Sequence, residues 1–212
     1  MPRRYILWDH DGVLVDTERW FFTATRDVMR RIDIELSRDT YLEYMARGQS
    51  CWDLGTAKGM SDEKISHYRG IRDSVYREHL RTQTIEVEGV ADVLATLATS
   101  FDMAVVTSAR RADLRLIHEK RNLLGFFEFV LTIEDYRRPK PCPDPYLAAL
   151  ERFGARPDQA VAIEDSAQGL RSALEAGLDC IVVENEFTAS QDFAGAWQVI
   201  DSIRQVPETL AA

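Results

Sequence analysis

Five short apolar runs end abruptly in polar residues, and no other feature constrains the fold of this chain as strongly. Tyr5-Ile6-Leu7-Trp8 runs into Asp9, Met103-Ala104-Val105-Val106 into Thr107, and Phe129-Val130-Leu131 into Thr132. Ala160-Val161-Ala162-Ile163 runs into Glu164, and Cys180-Ile181-Val182-Val183 into Glu184. None alternates apolar with polar. Uninterrupted runs of this length suit strands covered on both faces, as in a parallel sheet with helices on either side. Helical patterns lie between them. Pro145 to Phe153 is closed by Gly154. Ser166 to Ala176 sets Leu170, Ala173 and Leu174 on one face, with Gly177 as a C-cap. Ala112 to Leu124 ends at Gly125. Strands alternating with helices predict the α/β class. Trp197-Gln198-Val199-Ile200 is a candidate last strand.

The stretch from Asp16 to Arg81 breaks the alternation. It contains no strand-like run, and it spaces Trp20, Phe21, Phe22, Val28, Met29 and Ile32 helically. Turn signals stand at Arg47-Gly48, Lys58-Gly59 and Arg69-Gly70. The expected organisation is an α/β core over 1–15 and 83–212, with a helical insert over 16–82.

Composition removes several function classes. The chain carries 26 Lys plus Arg against 35 Asp plus Glu, a formal charge of -9. That balance is wrong for sequence-independent nucleic-acid binding, which needs a positive face to displace counterions. No apolar run approaches the roughly 18 residues of a membrane span. The apolar segment after the amino-terminal arginines is too short for a signal-peptide core. Cys51, Cys142 and Cys180 are widely spaced and odd in number, so no disulfide framework or zinc ribbon is expected, and the default setting is cytoplasmic.

Four blocks carry chemistry. Asp9-His10-Asp11-Gly12 places two carboxylates directly after a buried strand, where open α/β sheets bind ligands; alone, it also fits a solvated acidic turn. Thr107-Ser108 offers hydroxyls and backbone N–H groups to phosphate oxygens, or equally an N-cap. Lys140 stands in Arg138-Pro139-Lys140-Pro141-Cys142-Pro143, a stiff extended segment that would position its ammonium. Glu164-Asp165-Ser166 puts adjacent carboxylates at another strand end, suited to a cation such as Mg²⁺ or to helix capping.

Together these blocks resemble the haloacid dehalogenase (HAD) superfamily over nearly the whole chain. The similarity rests on Asp9-His10-Asp11-Gly12-Val13-Leu14-Val15-Asp16-Thr17-Glu18, Thr107-Ser108, Lys140-Pro141-Cys142-Pro143-Asp144, and Glu164-Asp165-Ser166-Ala167-Gln168-Gly169 with Ala176-Gly177. It is closest to the branch that inserts a helical cap after the first motif, which includes β-phosphoglucomutase and phosphoglycolate phosphatase. The resemblance implies a Rossmann-like doubly wound core and a phosphatase acting through an aspartyl-phosphate. Asp9 would be the nucleophile and Asp11 the general acid, then base. Thr107, Ser108 and Lys140 would bind the phosphoryl group. Asp9, Asp165, Glu164 and the Asp11 carbonyl would hold Mg²⁺.

Asp11 separates branches, because haloacid dehalogenases lack this second aspartate and phosphonoacetaldehyde hydrolases replace it. Phosphate-ester chemistry follows. β-Phosphoglucomutases carry a cap histidine and a cap arginine where this chain has Phe21 and, near the second position, Cys51; hydrolysis is therefore preferred over mutase activity. Trp20, Arg47, Gln49, Trp52 and Lys58 are candidate cap contacts with substrate, the aromatics being equally suited to the insert's own core. The expected partner is a small-molecule phosphate ester, handled by a monomer or small homo-oligomer. A catalytically silent phosphate-binding module is the third alternative.

Overall fold

The computed structural model describes residues 4–211. In chain order the elements are β1 (Tyr5–Trp8), α1 (Glu18–Arg30), α2 (Arg38–Ala46), α3 (Asp53–Ala57), α4 (Asp62–Thr82), α5 (Val90–Leu97), β2 (Asp102–Val106), α6 (Arg111–His118), β3 (Phe129–Leu131), α7 (Asp144–Phe153), β4 (Ala160–Glu164), α8 (Ala167–Glu175), β5 (Asp179–Val183), β6 (Gln198–Ile200) and α9 (Val206–Ala211). The chain divides into two compact units, Met1–Asp16 with Glu86–Ala212, and Thr17–Ile85.

The first unit is a six-stranded sheet in the order β3-β2-β1-β4-β5-β6, parallel throughout. β1 is central, with Trp8 in register with Val105 of β2 and Ile163 of β4. Both faces are covered. On one side Ile6, Trp8, Val105, Ile163 and Ile181 pack with Val93, Leu94 and Leu97 of α5. On the other, Leu7, Ala104, Ala162 and Val182 pack with Tyr146 and Leu150 of α7 and Leu170 of α8. Each strand thus sends alternate residues into two different apolar layers, and each large side chain gains roughly 1.5–3 kcal/mol by leaving water. A polar residue at any position would forfeit that gain, which explains the unbroken runs. This strand order reverses direction between β1 and β4, and side chains after the carboxyl ends of these strands converge on the crevice there.

The second unit consists of α1 to α4. Phe21 meets the Tyr76 ring edge-on at 5.2 Å, with the Arg72 guanidinium 4.0 Å over its face. Phe22 packs against Tyr41 at 5.0 Å. The segment leaves the sheet unit at Asp16 and returns at Glu86, and Val15 bridges Glu86 in antiparallel fashion. Exit and return are adjacent, so the insertion needs no change in the sheet. No helix among the described residues is long and apolar enough to cross a membrane.

Several local expectations are corrected. α6 stops at His118, not Leu124. Arg121 Nη1 donates to the Ile117 carbonyl at 2.6 Å, closing the helix, and the chain then turns so that Leu123 reaches the core. Leu174 is 38% exposed, while Leu170 and Ala173 of the same helix are buried. After β6, Ile203 and Val206 return to the core beside α5, although the tail carried little sequence signal. Gly70 does not mark a turn: it lies inside the 21-residue α4. A Cβ there would meet nothing within 4 Å. Gly70→Ala should therefore raise stability by about 0.5–1 kcal/mol through restricted unfolded-chain entropy. Urea denaturation measures this, and a decrease would contradict the helix interior.

Candidate active site

Lys140 organises the crevice. Its Nζ lies 2.6 Å from Asp9 Oδ1, 2.6 Å from Glu164 Oε1 and 2.9 Å from the Val106 carbonyl. An ammonium has three protons, and these three acceptors use all of them. They come from the ends of β1, β4 and β2. Glu164 is in turn engaged at both oxygens: Tyr146 Oη donates to Oε1 at 2.6 Å, and the Asp165 N–H donates to Oε2 at 3.2 Å. The Lys140 loop is tied down from α8, where Ser172 Oγ donates to the Cys142 carbonyl at 2.6 Å. Gly169 makes room for the buried carboxylate, since a Cβ there would fall 1.9 Å from Glu164 Oε2.

Asp165 is buried beside them. Asn185, after β5, donates to Asp165 Oδ2 at 2.8 Å. Gly12 adopts φ +85°, and a Cβ there would overlap Asp165 Oδ2 at 2.0 Å, so both its backbone and the close approach demand glycine. Oxygens of Asp9, Glu164 and Asp165 lie within 4.8 Å of one another. The Asp11 carboxylate is not part of that group. Its Oδ2 accepts from Thr107 Oγ1 at 3.3 Å and lies 3.2 Å from His10 Nδ1. Thr107 Oγ1 also accepts from the Ala109 N–H at 3.0 Å. Ser108 is exposed. Tyr136 Oη donates to the Thr107 carbonyl at 2.9 Å, fixing this loop from a second side.

The electrostatics follow from burial. Desolvation above all, with Glu164 and Asp11, raises the Asp9 carboxyl to about 7 against the lowering by Lys140. Burial also disfavours the Lys140 charge, but Asp9 and Glu164 outweigh it and hold the amine above its ordinary value. The two tendencies oppose each other, because one favours neutral Asp9 and the other a full ion pair. At 2.6 Å, with every ammonium proton accepted, the ion pair is the state the geometry supports. Three buried carboxylates around a single ammonium still leave negative charge uncompensated.

The helical-unit candidates are placed variously. Trp20 stacks on His79 at 5.2 Å and donates through Nε1 to the Thr84 carbonyl at 3.2 Å. Arg47 and Gln49 are exposed. Lys58 Nζ donates to the Asp33 carbonyl. Trp52 is buried, and its Nε1 has no hydrogen-bond partner. Residues that sequence reasoning missed are Tyr146, Ser172, Asn185, Tyr136, His10 and His118. Two of these had a signal: His10 stands between the paired acids after the first run, and Asn185 comes two residues after the Cys180–Val183 run.

Two outcomes test this arrangement. Glu164 cannot swing aside for an added methyl without abandoning Lys140, so Gly169→Ala should cost roughly 3–5 kcal/mol, the penalty for breaking a buried ion pair. Thermal and urea melts would show it, and near-wild-type stability would refute the pinning of Glu164. His118 supplies a pH signature. Burial first, with His10 and Arg121 also disfavouring the charged form, brings it from 6.5 down to about 4, so it folds neutral. The unfolded chain takes up the proton first. This contribution is complete above about pH 6.5 and is lost as pH falls toward about 4. Wild type should lose more stability than His118→Phe between about pH 7 and about pH 5, and equal losses would refute a neutral buried His118.

Residues 6–183 match the family model described as haloacid dehalogenase-like hydrolase. Protein CbbY of Cereibacter sphaeroides is 33% identical over 223 residues, covering 95% of this chain and 93% of that one. Fructose-1-phosphate phosphatase YqaB of Escherichia coli is 25% identical, covering 86% of this chain and 98% of that one. Among solved structures, CbbY from Rhodobacter sphaeroides in complex with phosphate gives a TM-score of 0.80 at 25% identity, over 96% of each chain. A mutant of it in complex with xylulose-(1,5)bisphosphate gives 0.79 at 25% identity, over 95% of each chain. With a family model spanning most of its length and a crevice of acids and one lysine at the switch point of a parallel sheet, the chain belongs to the haloacid dehalogenase-like hydrolases.

Proposed function

We propose that the protein is a Mg²⁺-dependent phosphatase that hydrolyses a small organic phosphate monoester, of the sugar phosphate or phosphoglycolate class, through an aspartyl-phosphate. The observation that carries this reading is the meeting of Asp9, held by Lys140, with Asp11, held by Thr107, two residues further on. An ionised carboxylate needs no activating base, and Lys140 keeps Asp9 ionised and oriented. Asp9 attacks phosphorus, the bond to the leaving oxygen breaks, and that oxygen takes a proton from Asp11. Asp11 then removes a proton from water, which attacks phosphorus and releases phosphate from Asp9. The exposed Ser108 is the candidate contact for phosphoryl oxygens, whereas the Thr107 hydroxyl, its one proton donated to Asp11 Oδ2, serves Asp11 first.

The donor set fits a magnesium ion: buried hard oxygen ligands, more negative charge than one lysine offsets, and carboxylates close enough to share a cation. Asp9 and Asp165 would hold it with the Asp11 carbonyl. Glu164 belongs to the same cluster, but both its oxygens already accept protein hydrogen bonds, so it supports Lys140 first. When bound, the ion offsets the repulsion between Asp9 and an anionic phosphate.

The named relatives and neighbours support a sugar phosphate: one is a fructose-1-phosphate phosphatase and another was solved with a sugar bisphosphate. The Thr17–Ile85 unit is the proposed cap, with Trp20, Arg47, Gln49, Trp52 and Lys58 as candidate specificity residues. Phe21 is absorbed in aromatic packing with Tyr76 and Arg72, and Cys51 is buried, which favours hydrolysis over mutase chemistry.

Mixing the protein with Mg²⁺ and a panel of sugar phosphates should release inorganic phosphate, and chelating the metal should stop it. Asp9→Asn should abolish release. Lys140→Ala should lose most of it, while Lys64→Ala and Lys120→Ala, at exposed sites, should lose little. No turnover across the panel, or equal tolerance at all three lysines, would overturn the reading. Conversion of β-glucose 1-phosphate to the 6-phosphate, primed by a bisphosphate, would replace it with mutase activity.

A further inference from the structure

Two buried histidines far apart in sequence face each other through their Nε2 atoms. His10 Nε2 lies 2.8 Å from His118 Nε2, across a separation of 108 residues. The other nitrogen of His10, Nδ1, lies 3.2 Å from Asp11 Oδ2. The other nitrogen of His118, also Nδ1, is buried and has no hydrogen-bond partner. His10 is fully buried, and neither ring has a role in the chemistry described above.

At 2.8 Å one proton, and only one, fits between the two Nε2 atoms. Two assignments place it. If His10 carries it, His118 must be the Nδ1–H tautomer, with a buried N–H that nothing accepts. In the neutral pair His10 Nδ1 would also turn a lone pair toward the carboxylate. If His118 carries it, His118 is the Nε2–H tautomer and His10 the Nδ1–H tautomer. Every N–H is then accepted, and only a lone pair on His118 Nδ1 goes unused. A buried donor without an acceptor costs about 1–3 kcal/mol, and the second assignment avoids it.

We propose that His118 is a positioning residue: it fixes His10 in the Nδ1–H tautomer, and His10 with Thr107 holds Oδ2 of Asp11 as an acceptor. Both donors converge on that one oxygen. The proton that Asp11 delivers to the leaving group is therefore carried on Oδ1. The bond to Oδ2 sets the carboxyl rotamer, so Oδ1 is presented in one direction. The role in turnover rests on the phosphatase reading; the tautomer assignment does not.

The experiment has two arms. Nitrogen-15 histidine NMR of the full-length protein reads each ring's tautomer without any substrate. The expected pattern is Nδ1–H for His10 and Nε2–H for His118, and the reverse pattern, or a charged His10, overturns the proposal. Kinetics then tests the consequence with two esters, an alkyl phosphate whose leaving oxygen needs a proton and a dinitrophenyl phosphate whose leaving oxygen does not. His118→Phe should lose about tenfold or more in kcat on the alkyl ester beyond any loss on the aryl ester. His118→Gln, whose amide N–H can replace the imidazole donor, should restore much of it. Equal losses on the two esters would overturn the positioning role. If wild type turns over neither ester, the phosphatase reading fails, and the NMR arm still decides the tautomers. If His118→Phe does not fold, His118→Gln against wild type supplies the same comparison, with a tautomer change in His10 as its second readout.

Discussion

A buried ammonium that has to satisfy three protons is the constraint from which the rest of this site follows. Lys140 is drawn out of water, and desolvating it alone would cost several kcal/mol. Asp9, Glu164 and the Val106 carbonyl offset that penalty only because each arrives from a different strand end at hydrogen-bond distance. The arrangement then propagates. Glu164 must be held, so Tyr146 and the Asp165 N–H engage it, and Gly169 has no Cβ to displace it. The lysine loop must be held, so Ser172 binds the Cys142 carbonyl. Removing a charged member of this set leaves its partner an unpaired buried charge, a penalty of about 3–5 kcal/mol.

The doubly wound sheet is what allows such convergence. Strands β2, β1, β4 and β5 run in one direction, so all their carboxyl ends open on the same side. Thr107, Asp9, Glu164 with Asp165, and Asn185 follow those ends in the same spatial order. The apolar layers on both faces make the strand ends rigid, and rigidity lets groups of like charge be kept a few ångströms apart. An acidic protein can thus host a phosphate-ester site with one ammonium at its centre, provided a cation offsets the remaining carboxylates. The two aspartates that follow β1 are differentiated by their neighbours. Lys140 holds Asp9 as a carboxylate, whereas Thr107 and His10 hold one oxygen of Asp11.

Much of this was legible in the residues. The runs ending in Asp9, Thr107 and Glu164 gave the strands and the acids at their ends, because a strand buried on both faces cannot hide its composition. The proline-flanked Lys140 stood out because a stiff loop is a poor place for a mobile surface lysine. Other signals misled for identifiable reasons. Gly70 resembles a turn, yet a long helix packed along α1 tolerates one glycine. The pattern after His118 continues helically on paper, but Leu123 lowers its free energy more by turning into the core.

By itself the sequence determined the α/β class, the strand ends and the set of chemical groups, since these depend on local periodicity and on which residues abut an apolar run. It could not determine partners. That all three Lys140 protons have protein acceptors, that both Glu164 oxygens already accept protein hydrogen bonds, and that His10 meets His118 were decided by the tertiary structure alone. Apart from the adjacent Asp165 N–H, the groups involved lie 18 to 131 residues apart. Hydrogen bonding depends on distances of a few tenths of an ångström, and no spacing along the chain encodes those.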